Sequence, residues 1–308
     1  HDENEEVAVS GAGPNGAVPI AAPPAAPPRF SLVSSALPGE PDGEGRWQNG
    51  IRFQPERCLP TTDVSYWWDC PGEGGDPPDT GTPAKTIADG ESVVDYRPYT
   101  IVAGDKCSSF GWSERDYQAR ATRYLMACES RLIERELWMG QIAQVAAFPN
   151  PYLDDGNATV LNSGSGIPFG KALAEVEQAA CDCSCGQVFI HAQPRVVSAW
   201  NEAGLLRQEG RRLLTIEDNV VVPGCGYTGE ADNGDDASLD RSFVYATSPV
   251  VLLRSDVRVL PETFGEAFDR TTNLIEFRAE RTVAAFWPDC CQVGAQTDLS
   301  YDRAAPIQ

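Results

Sequence analysis

The sequence predicts an α+β protein: an extended arm, a projecting β loop, one very long helix, and a compact α/β unit closed by long strands. Three stretches carry that expectation. GPNGAVPIAAPPAAPPRF (13–30) is rich in Pro and Ala, favours extended polyproline II backbone and cannot bury a core of its own. SERDYQARATRYLMACESRLIERELWM (113–139) repeats apolar residues at Tyr117, Ala121, Tyr124, Leu125, Cys128 and Leu132, the spacing of one helical face. NLIEFRAERTVAAF (273–286) alternates, with Ile275, Phe277 and Ala279 on one side and Glu276, Arg278 and Glu280 on the other, as a strand with one buried and one charged face does.

The elements follow in order. Residues 1–46 form the arm. GAGPNG within it resembles a phosphate loop only superficially, because no strand precedes it and no GK[ST] follows. In 47–104, RWQNGIRF and ESVVDYRPYTIVAG are extended runs around the loop CPGEGGDPPDTGTPAK, a hairpin-like projection. The long helix, with Ser113 and Asp116 as a capping box and Gly140 as its stop, measures roughly 40 Å and begins a unit at 109–165. A mixed unit, 166–242, holds a helix at PFGKALAEVEQAA, a buried strand at QVFIHA, a helix at QPRVVSAWNEAGLL ending near Gly204, two short strands in RRLLTIEDNVVVPGCGY and an acidic loop, GEADNGDDASLD. That loop lacks the register and terminal Glu of an EF-hand. Residues 243–308 return in strands: FVYATSPVVLL, SDVRVLPE and the alternating run at 273–286.

Composition narrows the function. The chain has 308 residues, 42% of them hydrophobic, and a formal net charge of −21. That charge argues against a nucleic-acid groove, which needs Lys and Arg to displace counterions. The cations are nearly all Arg, with only Lys85, Lys106 and Lys171 besides, a bias suited to fixed, bidentate protein contacts. No apolar run approaches the ~20 residues of a membrane span, and HDENEEVAVSG has the wrong charge for a signal peptide.

Ten cysteines are many for a reducing compartment and few for a disulfide scaffold. In CDCSCG, a strand would align Cys181, Cys183 and Cys185 on one face, and Cys290 or Cys291 would supply a fourth metal ligand. Disulfides, or small buried thiols at a corner between helix and strand, are the alternatives, and the thiol reading is preferred. Of the two histidines, His1 and His191, only His191 could serve a catalytic arrangement. Its setting in QVFIHA marks it instead as a hydrogen-bonded core or interface residue. The chain is therefore expected to be no enzyme and to need no cofactor.

The order of arm, loop, long helix ending ERELWMG, α/β insertion and closing strands ending NLIEFRAERTVAAFWPDCC resembles the major capsid proteins of tailed bacteriophages, of actinobacterial type. These have the Hong Kong 97-type fold shared with encapsulins. The resemblance implies an N-terminal arm (1–46), an extended loop (47–108), a spine helix with a peripheral domain (109–165), an axial domain (166–242) and closing peripheral strands (243–308). It implies a structural protein that self-assembles as hexamers and pentamers of an icosahedral virion shell, built in the host bacterial cytoplasm. Scaffold, portal or decoration proteins would be its partners, and DNA would be held by confinement without sequence-specific contacts. Contacts between copies are then expected at Pro23, Pro24, Pro27 and Pro28 in the arm, at Trp47, Tyr96 and Tyr99 about the loop, and at Arg278 and Arg281 on the closing strand. Lys85 is the one lysine placed for the loop crosslink of some members, but no partner Asn or assisting Glu matches, so that chemistry is not carried over. The alternatives are a minor capsid, decoration or tail-associated protein, or a secreted disulfide-bonded bacterial surface protein.

Overall fold

A computed structural model describes residues 26–39, 45–53, 94–108, 114–148, 150–162, 166–183, 186–230, 240–288 and 291–300. The helices are α1 (Leu32–Ser35), α2 (Glu114–Met139), α3 (Gln141–Ala146), α4 (Phe169–Cys183), α5 (Pro194–Glu202) and α6 (Phe264–Ala267). The strands begin with β1 (Leu37–Pro38), β2 (Ile51–Phe53), β3 (Val94–Tyr96), β4 (Tyr99–Ser108), β5 (Thr159–Leu161) and β6 (Ile167–Pro168). They continue with β7 (Phe189–Ala192), β8 (Arg207–Glu209), β9 (Arg212–Leu214), β10 (Val220–Pro223) and β11 (Arg241–Thr247). The last are β12 (Val251–Arg254), β13 (Arg258–Leu260), β14 (Phe268–Asp269), β15 (Leu274–Phe286) and β16 (Gln292–Asp298).

Two sheets share the long helix. The first is built on β15, which pairs antiparallel with β4, β12, β13 and β14, while β1 joins β12 in parallel. The second runs β5-β16-β11-β7-β10-β9-β8, with β6 also on β16. α2 packs its amino-terminal half on the first sheet, where Tyr117 stacks on Phe277 with ring centroids 6.4 Å apart. Its carboxy-terminal half reaches the second, where Trp138 lies 5.0 Å from both Tyr245 and Tyr227. The helix forms as periodicity predicts, but its buried ridge is Tyr117, Ala121, Leu125, Ile133 and Leu137. Tyr124 and Cys128 are exposed, because the acids Glu129 and Glu134 take inward positions that the apolar pattern assigned elsewhere.

The central strands of the second sheet, β7, β10 and β11, are buried on both faces, while β8 at its edge is exposed. Phe189, Val220, Val222, Phe243 and Tyr245 join the core around α2. Their alternates Ile190, Val221, Val244 and Ala246 pack beneath α4 and α5. That two-sided burial is why these strands read as continuous apolar runs.

Several expectations change. FVYATSPVVLL is two strands: the chain leaves the second sheet after Thr247 and enters the first at Val251. Residues 243–308 therefore divide between the sheets, since β11 and β16 pair with each other and β11 with β7. Cys181 and Cys183 are not on a strand; they close the last turn of α4. The arm is not wholly free of the body: Leu32 is fully buried and β1 pairs with β12. The loop's base is a real antiparallel pair, β2 with β3, but β4, which the sequence assigned to the projection, is the neighbour of β15 along ten register positions from Leu274↔Ser108 to Val283↔Tyr99. The loop tip, the arm before residue 26, Ser113 and the acidic loop 231–239 lie outside the described residues.

Candidate assembly surfaces

The outer face of β15 has two halves. Inward residues Ile275, Phe277, Ala279, Val283 and Ala285 belong to the core. On the outer side, Ala284 and Phe286 are covered by Trp47, Tyr96 and Leu253, which form a small cluster of their own. Phe286 meets the Phe53 ring at 5.2 Å and the Tyr96 ring at 5.6 Å. The other half is bare. There Glu276, Arg278 and Glu280 stand opposite Lys106, Gly104 and Val102 of β4. Lys106 pairs with Glu276 at 3.0 Å, Arg278 approaches the same carboxylate at 3.8 Å, and Val102 is 45% exposed. An open cavity of about 700 Å³ at the edge of this half is lined by Lys106, Glu262, Glu266, Asp269, Glu276 and Arg278 among others. A mixed-charge sheet face beside an exposed Val offers both signs of charge and apolar area to a partner surface.

The predicted contact residues separate against this geometry. Arg278 is on the bare half, its side chain 57% exposed. Arg281 points inward: its guanidinium meets Glu129 Oε1 at 2.7 Å, and Arg254 approaches the same carboxylate at 3.5 Å. Glu129 lies on α2, so this buried carboxylate, held by the largely covered Arg281 and the more exposed Arg254, fastens the spine to β12 and β15. Trp47, Tyr96 and Tyr99 are nearly fully buried within the chain; they seat the loop base on the first sheet and leave little surface for a neighbour. Burial holds the Tyr96 and Tyr99 hydroxyls well above the ordinary tyrosine range. Pro27 and Pro28 are exposed. Pro23, Pro24 and Lys85 lie outside the described residues.

Sequence reasoning missed Glu134, a second buried acid of α2. One oxygen accepts from the Ser130 hydroxyl at 2.7 Å and the Leu32 amide at 3.1 Å; the other accepts from the Gly226 amide at 3.0 Å. One carboxylate thus joins the arm, the spine and the loop after β10. Burial raises its pKa, against the lowering effect of those donors. Gly226 is needed for this approach, since a Cβ there would lie 2.2 Å from the Arg131 carbonyl oxygen. An acid in an Arg/Glu-rich helix reads as a solvated charge, and only the arm's docking exposes its role.

His191 is a core residue, as its apolar setting predicts. Thr247 donates its hydroxyl to the Ser248 carbonyl at 2.8 Å. Nε2 therefore donates to Thr247 at 3.0 Å, and Nδ1 accepts from the Tyr227 hydroxyl at 2.8 Å. Burial pushes its pKa down to about 3, so the ring stays neutral and fully engaged. Cys183 is joined to Cys291 as a disulfide with a Cα separation of 5.6 Å, which pins α4 to the start of β16. The preference for free thiols is corrected at this pair, and a metal role for Cys183 with it. Cys181 is free and exposed, Cys185 lies outside the described residues, and no metal-ligating cluster occurs among the described residues. No helix is long and apolar enough to cross a membrane among those residues.

The sequence matches no protein-family model and no curated protein. Solved structures do match, along nearly the whole chain. The capsid of an empty GTA particle aligns with 94% of this chain and 98% of its own, at a TM-score of 0.51 and 12% identity. The capsid of the native GTA particle aligns with 96% and 100%, at 0.51 and 12%. A structure of Microbacterium phage Oxtober96 aligns with 91% and 93%, at 0.50 and 15%. The chain has a Hong Kong 97-type capsid fold. The mixture of helices and strands is the α+β class that the sequence predicts, and what is shared at such identities is the fold.

Proposed function

We propose that the chain is a shell subunit: a structural, non-enzymatic protein that assembles as hexamers and pentamers into the icosahedral capsid of a tailed bacteriophage. The observation that carries this reading is the near end-to-end fold match with capsid proteins. A partial match would fit a domain borrowed for another purpose; this one leaves almost no residue of either chain over.

The described geometry fits the role. The spine is fastened to both sheets, so the subunit behaves as one stiff body. The bare half of β15, with Lys106, Glu276, Arg278 and Glu280, is the face a neighbouring copy covers, and Arg278 is the predicted contact residue that stays available for it. Pro27 and Pro28 leave the body exposed and extended, a form suited to crossing onto a neighbour. The virion would be its location, and scaffold, portal or decoration proteins its further partners. The disulfide Cys183–Cys291 is compatible with that location, because released virions meet oxidising surroundings; it is also the one feature favouring a secreted surface protein.

Negative-stain electron microscopy of the full chain, purified natively, tests the proposal. Closed shells, or rings of five or six, are expected; a monodisperse monomer in the presence of any co-expressed scaffold would refute it.

A further inference from the structure

Resting on the shell reading, we propose that the outward ridge of the spine helix, Arg123, Arg131 and Arg135, is a contact surface for the phosphate backbone of nucleic acid. The three arginines are exposed and belong to one row of positions four apart, 119, 123, 127, 131 and 135. This row lies two positions out of phase with the buried row 117, 121, 125, 129, 133 and 137. Ala119 and Ala127 fill the remaining places.

Charge on α2 is segregated. Glu129 is held by Arg281 and Arg254, and Glu134 by Ser130, Leu32 and Gly226. Glu136 accepts from the Ile142 and Ala143 amides at the start of α3. Glu129 and Glu134 turn to the body, Glu136 is engaged at the surface by the α3 amides, and the three ridge arginines have no ion pair among the described residues. Arg131 and Arg135 are four apart, where like charges repel. In a chain of net charge −21, the strip is without an ion pair among the described residues.

The shape selects the partner. From 123 to 135 the ridge runs about 18 Å, a length of duplex that presents about ten backbone charges. The arginine side chains are exposed along one side of the helix, which suits a uniformly charged linear polyanion; a peptide would favour a groove or a sheet edge. Exposed Tyr124 and Met126 flank it and add contact area. Guanidinium groups bind phosphate oxygens bidentately. In a shell, the ridge would mark the face turned towards the packaged genome, where an otherwise acidic surface repels it.

The test uses the full chain, taking the unassembled fraction from size exclusion. Binding of a short fluorescent DNA duplex is followed by anisotropy across salt concentrations. Three neutralised phosphates per subunit predict a log–log salt slope of about −2.7, or ~40-fold weaker binding between about 50 and 200 mM salt. R123Q/R131Q/R135Q should lose most of that slope and at least about ten-fold in affinity at low salt. R211Q/R212Q/R258Q, with the same change in net charge at exposed arginines elsewhere, should keep both. Equal binding by the ridge variant and the native chain, or an equal loss in the control, overturns the proposal. So does a ridge-dependent preference for the peptide GEADNGDDASLD over the duplex, which would assign the ridge to another copy's acidic loop. Electron microscopy of the same preparations reads the shell proposal separately. Shells from all three proteins without a duplex difference would sink the ridge alone; no shells from any would sink the shell reading.

Discussion

The two sheets of this molecule meet opposite fates. In the central strands of the second, residues pointing either way are buried: one face lies against α2, the other beneath α4 and α5. In the first, β15 is buried on its inner face, covered over half of its outer face by the loop base, and bare over the rest. The centre of the second sheet is complete within one chain. The first is finished only in part, and its bare remainder carries both signs of charge. A subunit that folds alone and then assembles needs both kinds of sheet.

The largest test of this contrast is in the finished sheet. Phe243 is fully buried, and Phe243→Ala should destabilise by ~3–5 kcal/mol, measured by denaturant unfolding. Next is the clamp on its helical cover: Cys183→Ser removes the bridge to Cys291 and should cost about 2–4 kcal/mol under oxidising conditions. Under reducing conditions the difference from the native chain should vanish; if it persists, the bridge is not what the substitution removes.

Glu134 joins the sheets' common helix to the arm. Glu134→Gln replaces an acceptor oxygen with an NH₂ facing buried N–H or O–H donors, and should cost ~1–3 kcal/mol. The same site gives a pH signature. Its native pKa is raised above the ordinary 4.5, so its contribution is complete below that value and declines as pH rises through the native one. The variant should lack that slope, and an unchanged pH profile would show that Glu134 does not titrate in this way. Smallest of all is the bare half: Glu280→Ala or Arg278→Ala should change subunit stability by no more than about 0.5 kcal/mol while reducing assembly yield in a sedimentation assay. A large loss of stability there would mean that the face is finished within the chain.

The sequence disclosed elements in proportion to how cleanly a periodicity was written into them. α2 and the amino-terminal half of β15 were legible because one face is apolar and the other charged. So were α4, β7 and α5, where the pattern changes from helix to strand and back within a few residues. β16 was not: QVGAQTD is buried throughout, yet its polar side chains and central glycine have no strand signature, and only pairing with β11 makes it one. The contact residues were chosen for size and aromaticity. That criterion selects equally for intramolecular cores, which is where Trp47, Tyr96 and Tyr99 lie; Arg278, on the charged side of a clean alternation, is exposed. Glu134 was unreadable because its partners lie 102 and 92 residues away.

The most direct measurement is a cryo-electron microscopy reconstruction of the particles formed by the full chain. The account predicts a closed shell in which the β15 face bearing Glu276, Arg278 and Glu280 is covered by a neighbouring copy. A shell that leaves this face open to solvent, or a chain of 33.3 kDa that stays monomeric under every assembly condition, would contradict it.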